Sequence, residues 1–115
     1  MKPFATHKFG AHRCEIDGKK FPSKLEKNTY LMLEKLKASG HVLFFLRQVP
    51  IEITTGVHRV DFLVFLTNGE AIFLESKGRD LEAGRMRRKM AEESTGCQIH
   101  VVTDPKEIYQ LLSIT

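Results

Sequence analysis

The sequence predicts an α/β domain in which one mixed central sheet carries helices on its faces. Three observations lead there. Apolar residues recur at helical spacing between Leu25 and Leu36; β-rich runs flank the turn Thr67-Asn68-Gly69-Glu70; and a basic helical stretch beyond them leads into a last β-rich run, Gln98–Val102. A hairpin continued by a β-α-β crossover gives a sheet with antiparallel and parallel neighbours, covered by helices.

The elements follow in order. Residues 1–13 form a basic arm without apolar pattern, a segment free to be flexible. Cys14 to Phe21 reads as two short extended pieces around Asp17-Gly18, a strong hairpin signal. Pro22-Ser23-Lys24-Leu25-Glu26 opens a helix; Leu25, Thr29, Met32, Leu33 and Leu36 give it one face, and Gly40 closes it. Val42–Leu46 and Gln48–Ile53 are β-rich and contain Pro50, so they form one strand bent at the proline, or two short ones. Arg59–Leu66 and Ala71–Ser76 are the arms of the next hairpin. A helix from Asp80 to about Ser94 has a thin core stripe of Ala83, Met86 and Met90, and Gly96 stops it. After the strand Gln98–Val102, Thr103-Asp104-Pro105 starts a final short helix over Lys106–Leu112.

Size and composition narrow the function. A chain of 115 residues accommodates a single domain, residues 1–115, with one core. With 42% hydrophobic and 28% charged residues it is ordinary for a globular protein. The longest apolar run, near Val42–Leu46, is too short to cross a membrane, and Met1-Lys2-Pro3-Phe4 is no signal peptide; a cytoplasmic protein with no membrane partner is expected. Cys14 and Cys97 stand alone and read as free thiols.

Charge is unevenly placed within a net +4. Residues 1–40 hold nine Lys/Arg against four acids, and residues 77–90 hold six against two. Residues 41–76 and 91–115 are net acidic, by two and three charges. Two basic patches around an acidic middle suit a protein that grips phosphates and keeps a pocket of carboxylates; solvated helix faces give the same composition.

Three ionisable residues interrupt otherwise apolar strands. Asp61 stands in Val60-Asp61-Phe62-Leu63-Val64-Phe65, and Glu75 and Lys77 in Ile72-Phe73-Leu74-Glu75-Ser76-Lys77. If Thr67–Glu70 is a tight turn, Asp61 lies close to Glu75, and Glu75 and Lys77, two apart, share a face. Two carboxylates and an ammonium make a hard-cation site beside a catalytic base. Mg²⁺ takes one or two carboxylates plus substrate phosphate, and the Ser76 carbonyl adds an oxygen donor. The metal acidifies a bound water and Lys77 orients or deprotonates the nucleophile. A plain ion-pair cluster of Asp61 and Glu75 with Lys77 or Arg59 is the structural alternative.

Asp61 followed by Glu75-Ser76-Lys77 resembles the D…(D/E)-x-K signature of the PD-(D/E)XK nuclease superfamily, with Val60 in place of the motif's proline. Asp17-Gly18-Lys19-Lys20-Phe21-Pro22-Ser23-Lys24-Leu25-Glu26 resembles the D-G-x-x-F-x-S-K-x-E entrance of a family of small phage and prophage endonuclease-like proteins within it. Arg47-Gln48-Val49-Pro50 and the basic stretch Arg85–Lys89 are similar too, and the likeness covers about residues 8–103. It implies a restriction-endonuclease-like α-β-β-β-α-β core and Mg²⁺-dependent hydrolysis of DNA phosphodiesters to 5′-phosphate and 3′-hydroxyl ends, with Mn²⁺ able to substitute and no small-molecule cofactor. Kin by fold include phage endonuclease I and RecU-like Holliday junction resolvases and the endonuclease subunit of some transposases. For a phage-encoded protein the compartment is the bacterial host's cytoplasm.

The same resemblance makes Glu26, on the first helix, a fourth catalytic and metal-binding candidate. Ser23-Lys24-Leu25-Glu26 is also a capping box, which would turn that carboxylate back onto the Ser23 N–H; one conformation cannot do both. Arg85, Arg88 and Lys89 share a helix face, with Arg79 and Arg87 nearby, and are expected on DNA phosphates; Gln48 either projects toward the DNA from the sheet or is a plain polar residue of an edge strand. His7, His12 and Cys14 match no zinc spacing, and His41, His58 and His100 read as surface residues. One active centre per domain implies a homodimer for cutting two strands. The rival functions are a non-catalytic DNA-binding module of the same fold, and a nuclease subunit of a larger recombination or transposition complex.

Overall fold

The computed structural model describes residues 14–16 and 18–114. The basic arm with His7 and His12, Asp17, the Cys14 side chain and Thr115 lie outside the described residues. The elements are β1 (Cys14–Ile16), β2 (Lys19–Phe21), α1 (Lys24–Ala38), β3 (Val42–Ile53), β4 (Gly56–Leu66), β5 (Ala71–Ser76), α2 (Glu82–Thr95), β6 (Ile99–Val102) and α3 (Glu107–Leu111). β1 and β2 pair by themselves; the main sheet has four strands in the order β3-β4-β5-β6. Its first two pairings are antiparallel and the last, β5 with β6, is parallel. The fold is mixed α/β with flanking helices, as the hairpin and crossover signals predicted.

Local chemistry fixes the ends of α1. Ser23 Oγ accepts the Glu26 N–H at 3.1 Å. At the other end Gly40 has φ 87°, so that its N–H reaches the Lys37 carbonyl (3.2 Å) and the His41 N–H the Leu36 carbonyl (2.9 Å). This is the paired bonding that ends a helix through a left-handed residue, which glycine adopts most easily. α1 buries Glu26, Thr29, Tyr30, Leu33 and Leu36, while the expected Leu25 and Met32 are only half-buried. Tyr30 takes part because its ring meets Phe21 at 5.0 Å and Phe45 at 5.7 Å.

β3 runs unbroken through Pro50, which faces Arg59 across the ladder. The strand lies at the sheet edge, where a missing N–H costs no pairing. Its irregularities fall elsewhere, at a register shift between Val42 and Phe44 and at Gln48, where φ is +53°. Here the β3–β4 ribbon turns its faces over. Val60 packs with Ile51, Ala91 and Ile99, whereas Phe62, two residues on, packs with Tyr30, Leu33, Leu74 and Val102. Two such residues on a regular strand would share a face. β4 also begins earlier than expected, at Gly56, because Thr54-Thr55 makes a turn that carries no usual hairpin signature.

α2 corrects the expected stripe. Ala83 and Met86 are exposed and Met90 is half-buried, while the helix buries Arg88 and Ala91. It starts at Glu82 rather than Asp80 because the Asp80 carboxylate is engaged with Arg88. Gly96, at φ 71°, ends it as expected. Among the described residues no helix is long and apolar enough to cross a membrane, and Cys97 is a free, exposed thiol.

Candidate active site

Three elements meet where the ribbon turns over. Asp61 leaves β4 there, Glu26 reaches in from the first turn of α1, and Glu75-Ser76-Lys77 ends β5. Phe62 pairs with Leu74, so in antiparallel register Asp61 lies across from Glu75. Asp61 Oδ2 accepts the Ser76 N–H at 2.8 Å. Its Oδ1 accepts from Gln48 Nε2 at 3.3 Å, and the same nitrogen donates to Glu26 Oε2 at 3.1 Å. Ser76 Oγ donates to Thr29 Oγ1 at 2.9 Å, joining the end of β5 to α1. The Lys77 N–H is held by the Val102 carbonyl at 3.0 Å, fixing the strand end that carries its side chain.

Glu26 thus resolves the conflict that its sequence context posed. Its backbone N–H is used by the Ser23 cap, but its carboxylate points into the site, with Arg47 at 3.6 Å. The residue is 2% exposed. Burial, and then the neighbouring negative charge of Asp61, push its carboxyl up to about 7. Burial raises Asp61 as well, against the Ser76 N–H and the Lys77 charge, which lower it. Burial outweighs the nearby Arg47 and Lys77 charges, so both carboxyls are raised above their ordinary values.

Glu75 faces α2. Its carboxylate, 1% exposed, bonds His58 Nε2 and lies 3.5 Å from Arg88 Nη1. Arg88 in turn grips Asp80 with both terminal nitrogens, at 3.0 and 2.8 Å, which lowers the Asp80 carboxyl. Among the described residues no three His, Cys, Asp or Glu side chains converge as a ligand set in this arrangement.

The structure divides the expected phosphate face. Arg79, Arg85, Arg87 and Lys89 are exposed, with Arg85 bonded to the Asp80 carbonyl and Arg87 to the Val57 carbonyl at 2.6 Å. Arg88 is turned inward, 9% exposed, where it reaches both Asp80 and Glu75. Gln48 gives its amide to the carboxylates. His58, expected at the surface, is 7% exposed. Its alternation with buried Val60 was a readable signal, as were the helical spacings from Gly84 to Arg88 and Arg88 to Ala91. Arg47, which stacks on Phe21 at 4.1 Å and donates to the Lys20 carbonyl at 3.0 Å, is a site neighbour to which the sequence assigns no role beyond the Arg47–Pro50 likeness.

Among the described residues the buried polar or charged ones are Glu26, Thr29, His58, Glu75 and Arg88. They fall into two networks, Glu26–Gln48–Asp61–Ser76–Thr29 and His58–Glu75–Arg88–Asp80, which adjoin at the consecutive residues Glu75 and Ser76. The family model described as "Protein of unknown function (DUF1064)" matches residues 6–103, and the chain belongs to that family. No curated protein and no solved structure matches it.

Proposed function

We propose that this member of DUF1064 is a divalent-metal-dependent DNA endonuclease with a restriction-endonuclease-like core and Asp61, Glu75, Lys77 and Glu26 at its active centre. The observation that carries the reading is that two buried polar networks, one holding Glu26 and Asp61 and the other holding Glu75, adjoin at the Glu75-Ser76-Lys77 strand end. Buried ionisable groups cost stability, and their concentration at one spot is the mark of a working site. The succession α1-β3-β4-β5-α2-β6 is the order that core requires.

The donor chemistry fits a hard cation. The available groups are carboxylate oxygens of Asp61, Glu26 and Glu75 and the Ser76 carbonyl, with no thiolate, and both Glu26 and Asp61 are raised by burial despite the nearby Arg47 and Lys77. These residues would hold Mg²⁺, or Mn²⁺ in its place. When bound, such an ion lowers the pKa of a water and offsets charge on the phosphate. The chain's own residues do the rest. Lys77 orients or deprotonates the attacking water, and the Ser76 N–H keeps Asp61 directed at the site. The exposed Arg79, Arg85, Arg87 and Lys89 supply phosphate contacts that position a duplex without reading its sequence. Cutting both strands takes two centres, hence a homodimer. A cytoplasmic setting accompanies this reading.

The experiment is cleavage of linear, nicked and branched DNA by the purified chain, in Mg²⁺ and in EDTA, beside Asp61→Asn. Metal-dependent cleavage by the parent and none by the variant is expected. A parent that binds DNA without cutting any of the three substrates would make the domain a binding module, or a subunit awaiting a partner.

A further inference from the structure

Gln48 adopts a backbone conformation that strands do not use. At φ +53° it lies in the left-handed region, unfavourable for a residue with a Cβ, yet Arg47 and Val49 on either side pair in common register with Phe62 and Val60. Strain of this kind persists where the surroundings impose it, and it clusters at functional sites. What it achieves here is visible at the other end of the side chain. Both groups that Gln48 meets, Glu26 Oε2 and Asp61 Oδ1, are acceptors, so the NH₂ of the amide faces them and each proton serves one. A carboxylate in its place would repel both, and an apolar side chain would leave both unbonded.

We propose that Gln48 is the positioning residue of this site: its amide ties one oxygen of Glu26 to one oxygen of Asp61 and so sets the spacing of the two carboxylates. The remaining contacts complete the fixation. The Ser76 N–H holds the second Asp61 oxygen, and the Arg47 guanidinium, adjacent in sequence, flanks Glu26. β3 therefore acts on the site from the sheet edge, delivering a cation and a two-proton donor in consecutive residues; the left-handed turn lets both reach it. The role in metal binding rests on the function proposed above, whereas the holding of the pair does not.

Two variants separate these statements. Asn accepts a left-handed backbone more readily than Gln but is one methylene too short to span both acids. Gln48→Asn should therefore melt within a few degrees of the parent in EDTA and bind Mn²⁺ about 10–100-fold more weakly by calorimetry, as for loss of a group that orients metal ligands. Gln48→Glu keeps the shape and replaces the donor by a third carboxyl group. It should lower the melting temperature in EDTA by about 4 °C or more. Equal Mn²⁺ affinity in the parent and Gln48→Asn would overturn the positioning role while leaving the metal site standing. Equal melting of the parent and Gln48→Glu in EDTA would overturn the holding of the pair. A parent that gives no Mn²⁺ heat would retire the metal reading, and the EDTA comparison would still decide whether Gln48 holds the two acids.

Discussion

The two faces of the sheet are built on different principles. Under α1 lies a continuous apolar core, in which Leu33, Leu36 and Tyr30 meet Phe62, Val64, Leu74 and Val102. Under α2 the apolar cluster is small, made of Ile51, Val60, Ala91 and Ile99, and the helix is joined to the sheet as much through Arg88, Glu75 and His58. The first face holds the fold; the second holds Glu75, a carboxylate of the proposed active centre. Asp61, at the place where the ribbon changes faces, belongs to both. Apolar packing attaches α1 to the sheet, whereas buried ion pairs carry much of the attachment of α2.

Truncation on each side puts this division to the test. Phe62→Ala removes a ring that is fully buried under α1 and should cost about 3–5 kcal/mol in denaturant unfolding. A loss below about 1 kcal/mol would mean that the α1 face is not the main source of stability. On the other face, Arg88→Ala leaves Glu75 buried with His58 alone and should cost about 3 kcal/mol, by the rule that removing one partner strands the other charge. Arg88→Met, which keeps the bulk, should recover none of that loss unless Glu75 is changed to Gln as well; recovery by Met alone would show that packing, not charge, attaches α2.

Lys77→Ala tests function without stability. Turnover should fall about 100-fold or more, as for loss of a general base, while the melting temperature and DNA binding in Ca²⁺ stay near the parent's. Full activity would make Lys77 an ion partner of Asp61 only.

A smaller effect follows from pH. The Glu26 carboxyl is raised from its ordinary value of 4.5 to about 7, so the folded state binds this proton more tightly than the unfolded chain does. Its contribution is fully present below the ordinary value and is lost as pH rises through about 7, and Asp61, also raised, acts in the same direction. In EDTA the melting temperature should decline between about pH 5 and about pH 8, less steeply in Glu26→Gln, and less steeply in the parent when Mn²⁺ is present. Identical slopes for the parent and Glu26→Gln would remove Glu26 from the charged pair. Smallest in stability is replacement of Arg85, Arg87 and Lys89 by Ala, which should change unfolding by less than about 1 kcal/mol. The same change should lower the slope of log K against log salt for DNA binding by about 0.9 for each phosphate that is no longer neutralised. An unchanged slope would move the grip to the lysine-rich segment at residues 19–37.

The features legible in the sequence were local ones. Ser23 and Gly40 set the ends of α1, Gly96 the end of α2, and Thr67–Glu70 the register that lays Asp61 across from Glu75. These depend on hydrogen bonds and dihedral preferences within a few residues, which composition and spacing record. Tertiary packing set the rest. It turned Glu26 from its cap into the site, drew Arg88 off the helix surface toward Glu75, buried His58, and placed Gln48 left-handed between two acids. Charged residues follow their partners rather than a periodicity, and those partners lie 8 to 22 residues away along the chain. No window of local sequence encodes such a distance; it exists only once α1, β3, β4, β5 and α2 have been brought to the same point by the burial of their apolar faces.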